Sequence, residues 1–188
     1  IAGKTIRGVA VSRPKVLRPT SLREFQKVLV GAKFTNLTRR GKYLLFELRS
    51  KSAAKPVALL GHLGMTGRMF LLGKNEAIPK HAAVVLDLGA RNFIYEDTRY
   101  FGRMSLDLSV VARLGPEPLS DEFQPAAFGE ALKRSTQAIK VKLLDQTLVA
   151  GVGNIYASEA LFRARISPRR TANKLTGVQL KKPWRAIQ

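Results

Sequence analysis

The chain has no cysteine and only two histidines in 188 residues. That excludes disulfides and thiolate metal sites, and two histidines alone do not make a zinc site. Long apolar runs are missing as well. No stretch approaches the roughly 20 residues needed to span a bilayer, and the basic first residues lack the apolar block of a signal peptide. The sequence therefore predicts a soluble, intracellular protein with no membrane partner. Acidic residues are the other scarcity: 13 Asp and Glu stand against 33 Lys and Arg, a formal charge of +20. Such an excess points to a polyanionic partner, most often nucleic acid, and a merely solvated basic surface is the plainer alternative. Hydrophobic residues make up 45% of the chain. This is enough for a packed core, so the chain is not a disordered basic tail. No internal repeat and no low-complexity segment is visible.

Residues before about Leu108 read as strands and those after about Pro125 as helices. Residues 6–11 alternate loosely with basic positions and suggest a strand. Ser21-Leu22-Arg23-Glu24 is a capping box opening a short helix through about Val30. Apolar runs of strand length follow at 42–48, 57–63, 68–72, 82–88 and 92–95, separated by clusters such as Gly73-Lys74-Asn75 and Gly89-Ala90-Arg91. Short strands at this spacing predict an antiparallel β-sandwich. Residues 114–124 read as a proline-containing linker, with helices expected near 125–134 and 136–145. The expected division is therefore 1–113 for a β-sandwich domain, 114–124 for the linker and 125–188 for a helical domain, an α+β chain. A second capping box, Thr176-Gly177-Val178-Gln179, opens a last helix that Pro183 is expected to bend or shorten. Position 1 is Ile with no initiator Met before it, and the chain stops little more than two turns into that helix. Both ends read as those of a piece of a longer protein.

The most informative stretch is Gly151-Val152-Gly153-Asn154-Ile155-Tyr156, two glycines feeding a helix without an early proline or acidic cap. Glycines let a backbone approach an anion closely, and the free N–H groups of a helix start, with the macrodipole and the Asn154 amide, suit a phosphate. Taken alone, the pair reads equally as a turn before an ordinary helix. Beyond Glu159, Arg163, Arg165, Arg169, Arg170, Lys174, Lys181, Lys182 and Arg185 follow with no acidic residue among them. That one-sided charge favours the phosphate reading.

Four segments then carry a resemblance. They are Arg40-Gly41-Lys42-Tyr43-Leu44-Leu45, His62-Leu63-Gly64-Met65-Thr66-Gly67, Glu96-Asp97-Thr98-Arg99-Tyr100-Phe101-Gly102, and Leu114-Gly115-Pro116-Glu117-Pro118-Leu119 with the later Val152-Gly153-Asn154-Ile155-Tyr156-Ala157. In this order they resemble the formamidopyrimidine-DNA glycosylase family, bifunctional base-excision repair enzymes related to endonuclease VIII. The resemblance covers nearly the whole chain. It implies an N-terminal β-sandwich, a helix-two-turns-helix domain and damaged duplex DNA in the cleft between them. It also implies action in the cytoplasm on the nucleoid, and oxidised purines such as 8-oxoguanine and formamidopyrimidines as substrates; a monomer is the default expectation.

The resemblance assigns roles to residues. Lys42 corresponds to the lysine near the abasic sugar that assists β-elimination and contacts phosphate. His62, His81, Lys140, Asn154 and Tyr156 correspond to positions on or near the DNA backbone, and their side chains suit hydrogen bonding there. Met65, Arg99 and Phe101 correspond to the trio that enters the duplex when the damaged nucleotide is turned out: Met and Phe fill the hole, and a guanidinium bonds the estranged base. Without the family, Lys42 is a solvated edge charge, the histidines are hydrogen-bonded structural residues, and Met65, Phe101 and Tyr156 are packing residues. Thr98 and Tyr100 depart from the proline and arginine expected in this loop, which bears on its stiffness and charge. The family's terminal proline nucleophile, which forms a Schiff base at the sugar, and the adjacent glutamate acid would precede Ile1. Its zinc finger would follow Gln188, so no cofactor is expected within these residues. The expectation is that this stretch alone is catalytically inactive. Two alternatives are a non-catalytic relative that binds damaged DNA and a basic RNA-binding module, which would prefer structured RNA and ignore lesions.

Overall fold

The computed structural model describes residues 1–50 and 56–188. The chain divides into two compact units, Ile1–Val110 and Val111–Gln188. Among the described residues the first unit contains eight strands and one α-helix: β1 (Gly8–Val11), α1 (Leu22–Leu29), β2 (Lys33–Arg40), β3 (Tyr43–Arg49), β4 (Val57–His62), β5 (Arg68–Gly73), β6 (Ala82–Asp87), β7 (Arg91–Glu96) and β8 (Arg103–Ser105). Two antiparallel four-stranded sheets result, ordered β1-β6-β7-β5 and β2-β3-β4-β8. This is the expected sandwich.

Alternating inward residues make its core. Phe34 of β2 and Phe46 of β3 meet edge to face with centroids 6.0 Å apart, and Phe46 meets Phe93 of β7, in the other sheet, at 5.5 Å. Ile6, Phe25, Leu29, Leu48, Leu59, Leu86 and Tyr95 complete it, each fully enclosed. α1 caps one side through Phe25 and Leu29, its first turn fixed where the Ser21 hydroxyl accepts the Glu24 N–H at 3.2 Å. β2 was not foreseen. It is an edge strand on which Phe34 is the only buried side chain, so its polar sequence gives no alternation.

A single helical turn, α2 (Ser109–Ala112), leads into the second unit, which holds α3 (Pro125–Lys133), α4 (Ile139–Leu143), α5 (Asn154–Ala164) and α6 (Gly177–Ile187). Phe123, Phe128, Leu132, Ile139, Leu143, Val149, Leu161, Ala172 and Leu180 form its core. Residues 114–124, expected as a linker, instead belong to this unit: Gly115 N–H donates to the Gln146 carbonyl at 2.9 Å, and the Pro116 carbonyl accepts from Ala150 N–H at 2.9 Å. Pro183 does not end or shorten α6, which runs to Ile187. The capping box holds the start of the helix, where Thr176 Oγ1 accepts from Gln179 N–H and Gln179 Oε1 from Thr176 N–H. Past the proline, Trp184 Nε1–H donates to the Phe123 carbonyl at 2.9 Å. Anchorage on both sides outweighs the one backbone bond that proline removes.

Candidate nucleic-acid interface

Two cations and a histidine meet at one end of the β2-β3-β4-β8 sheet. Lys42 occupies the two-residue turn between β2 and β3; beside it Tyr43 pairs with His62, and His62 pairs with Arg103 across β4 and β8. The His62 ring stacks on Tyr43 with centroids 5.0 Å apart, and its Nδ1 accepts the Gly64 N–H at 3.2 Å. Burial lowers the pKa of His62, and the positive charges of Lys42 and Arg103 lower it further. The ring is therefore neutral at neutral pH. With Nδ1 accepting, the proton sits on Nε2, which is left to donate. Burial also lowers Lys42, although the residue as a whole is exposed. An ammonium with a depressed pKa on the turn, with a neutral imidazole donor and a guanidinium on paired strand positions beside it, could hold an anion, and such a lysine transfers a proton more readily than an exposed one.

Met65, Arg99 and Phe101 come together. Met65 lies in the loop after β4 and the other two in the loop after β7, yet Arg99 Cζ is 4.7 Å from the Phe101 ring centroid and its Nη1 is 3.6 Å from Met65 Sδ. Met65 is 73% exposed and Phe101 58%. An apolar pair standing in water with a guanidinium between them is a costly surface for a folded chain, and it is suited to enter an opened base stack.

What aligns the two loops is Asp97, which the residue-type reading did not single out. It is completely buried and accepts from Thr66 Oγ1 at 2.6 Å, Gly102 N–H at 2.8 Å, Arg99 N–H at 3.2 Å and Tyr95 OH at 3.4 Å. Burial by itself would raise its pKa, but the hydrogen bonds from Thr66, Gly102, Arg99 and Phe101 prevail and hold the carboxylate below its ordinary value. Thr66 tethers the Met65 loop; Arg99 and Gly102 tether the other. The loops touch through glycines. Gly64, at φ +61, leaves no room for a Cβ against Gly102 N, and a Cβ on Gly102 would collide with Tyr95 OH and the His62 carbonyl. An aspartate on a turn in so basic a chain was the available signal.

His81, just before β6, places Nδ1 3.4 Å from Tyr100 OH, with the rings edge to face at 6.3 Å. Tyr100 stands where the resemblance leads one to expect arginine, and the Arg13 guanidinium lies over its ring at 5.0 Å.

In the helical unit Gly153 caps α5 without a side-chain bond, so the cap residue leaves the first N–H groups uncovered. Asn154 and Tyr156 are exposed on that first turn. Gln146 shapes the approach and was also missed by the sequence reading. Its Nε2 donates to the carbonyls of Leu144 and Val152 at 2.9 and 2.8 Å, and its Oε1 accepts Gly151 N–H at 2.9 Å. Lys140 sits along the flank of α5, lining a cavity of about 380 Å³ with Ser158, Phe162 and Arg165. No group of three or more potential metal ligands occurs among the described residues, and without cysteine the chain offers nothing that fits the zinc finger implied above. No helix of the described residues is long and apolar enough to cross a membrane.

Comparison with known proteins agrees with this geometry. Residues 1–104 match the formamidopyrimidine-DNA glycosylase N-terminal domain and residues 114–188 the formamidopyrimidine-DNA glycosylase H2TH domain. The formamidopyrimidine-DNA glycosylase of Carboxydothermus hydrogenoformans is 40% identical over 188 residues, all of this chain and 68% of that protein. That of Thermus thermophilus is 41% identical over 195 residues, spanning all of this chain and 67% of its relative. Among solved structures, the Lactococcus lactis enzyme bound non-covalently to DNA containing an AP site has a TM-score of 0.89 at 32% identity, covering this chain fully and 72% of that one. MutM in complex with DNA containing carbocyclic 8-oxo-G gives 0.90 at 33%, covering this chain fully and 70% of the other. With both units matched, in order and over the whole length, the chain belongs to the formamidopyrimidine-DNA glycosylase family.

Proposed function

We propose that this chain grips damaged duplex DNA in base-excision repair, within a DNA glycosylase and abasic-site lyase that removes oxidised purines such as 8-oxoguanine and formamidopyrimidines. The observation that carries the reading is the exposed meeting of Met65, Arg99 and Phe101 over the buried Asp97 carboxylate. A nucleotide turned out of the stack leaves a gap of base thickness. Met65 and Phe101 fill it, and Arg99 donates to the base left behind. Lys42, with the neutral His62 beside it, holds the phosphate by the vacated sugar, and its lowered pKa suits it to assist elimination. His81 takes backbone near the tip. Asn154, Tyr156 and Lys140 take phosphates along α5, using its uncapped N–H groups. The site of action that follows is the nucleoid in the cytoplasm, with the chain acting as a monomer.

Fluorescence anisotropy at one fixed ionic strength tests this, with a duplex carrying a tetrahydrofuran abasic analogue against the intact duplex and a structured RNA. The abasic duplex should bind at least about tenfold more tightly than the intact one, because its opened stack saves unstacking energy. Replacing Phe101 with Ala should erase that ratio and leave intact-duplex binding within about twofold. Equal affinity for all three nucleic acids would sink the reading.

A further inference from the structure

Arg13 has no part in the interface above. It is exposed, directly before the turn Pro14–Leu17, and far in sequence from the loop it meets. Its guanidinium carbon lies 5.0 Å from the centroid of the Tyr100 ring. On the same ring, the hydroxyl faces His81 Nδ1 at 3.4 Å. Tyr100 reaches both partners from a left-handed backbone, φ +54, a region that costs a non-glycine residue roughly 1 kcal/mol or more. The neighbouring peptides bear that cost, since Asp97 fixes the N–H groups of Arg99 and Gly102 on either side of it. Arg13, His81 and Arg99 make no ion pair with a carboxylate among the described residues.

A guanidinium lying on an aromatic face keeps its N–H edges free in its own plane and loses little freedom when an anion arrives. Two parallel N–H groups fit two oxygens of a phosphodiester. We propose that Arg13, held over the Tyr100 ring, is a phosphodiester-binding residue that grips the DNA backbone next to the Met65, Arg99 and Phe101 tip, with Tyr100 as its positioning residue. The inference rests on the DNA-binding reading and extends it to a contact from the segment after β1. It also accounts for an uncharged residue at position 100: the cation comes from Arg13 instead.

The test is the salt dependence of duplex binding by the full chain and its variants R13A, R13K, Y100F, Y100A and R13A/Y100A, on intact and abasic duplexes. One lost phosphate contact lowers the slope of log K against log salt by about 0.9 and weakens all sequences alike. R13A should show that loss and a several-fold weakening on both duplexes, whereas R13K should keep the slope. Y100F keeps the ring and should keep the slope as well. Y100A should behave like R13A, and the double variant should be no weaker than the weaker single. Should Y100A melt early, R13A, R13K and Y100F decide the matter alone. An unchanged slope in R13A overturns the proposal, as does full additivity in the double variant. The abasic-to-intact affinity ratio of the unaltered chain tests the repair reading separately, so either can fail without the other.

Discussion

Asp97 is a full negative charge with no accessible surface, bonded by hydroxyl and peptide donors and, among the described residues, by no cation. It is tolerated because those donors converge on its oxygens from two loops, replacing hydration. Asn in its place would turn an amide N–H₂ toward donors that need an acceptor. Asp97→Asn should cost about 1–3 kcal/mol in urea unfolding, and the preference for abasic duplex should fall toward one as the Met65 and Phe101 loops lose register. A variant of full stability and full preference would show that the loops align without it. His62 makes a pH prediction. Its pKa in the folded chain is depressed, so the stability gained from keeping it neutral is present above the ordinary value of 6.5 and is lost as pH falls below that value. A bound phosphate offsets the repulsion from Lys42 and Arg103, raises the pKa and makes binding take up a proton. Duplex affinity should therefore rise between pH 8 and pH 6, and His62→Gln should flatten that rise.

Elements were legible in the sequence wherever one side faces a core and the other water. The run giving β3 shows this, as do the N-cap of α1 and the capping box of α6, while β6 and β7, buried on nearly every residue, were legible as continuous apolar runs. β2 was not legible because an edge strand with one buried residue has nothing to alternate, and β8 is only three residues long. Pro183 does not shorten α6, because local propensity says nothing of the Trp184 anchor to Phe123, 61 positions away. The site divides similarly. Met65, Arg99, Phe101 and Asn154 are proposed from motifs, and the structure brings the first three together, whereas the contacts of Asp97 and Gln146 exist only once the chain has folded. Gln146 is the test at this scale. Three hydrogen bonds from one amide hold the turn leading into α5, and Gln146→Ala leaves two carbonyls and one N–H to find water. The expected cost is about 1–3 kcal/mol in stability. On the proposed role of the α5 start as a backbone contact that reads no lesion, DNA binding should also weaken, in intact and abasic duplexes equally. A selective loss on abasic DNA would contradict this role.

At the scale of the whole molecule, the charge of +20 and the few residues proposed to touch phosphate make different predictions. Diffuse charge speeds encounter and raises affinity for any polyanion, whereas counterions are released one by one where a cation sits on a phosphate. The full cations proposed to take a phosphate each are Lys42, Lys140 and Arg13; Arg103 faces the same phosphate as Lys42 and adds no separate one, His62 is neutral, and Asn154 and Tyr156 carry no charge. At about 0.9 per neutralised phosphate, the slope of log K against log salt should be roughly −3 at pH 8. Protonation of His62 in the complex should steepen it by a further unit or so near pH 6. Arg13→Ala should bring the slope at pH 8 to roughly −2. Titrations between about 50 and 200 mM salt resolve these steps, since each contact is worth a several-fold change over that range. A slope near −8 would mean that the general basicity of the surface carries the binding and that the named residues orient the duplex without dominating its affinity. A slope near −3 with the expected pH dependence would assign the affinity to those few residues, and would leave most of the remaining cations to steering and to keeping the molecules apart.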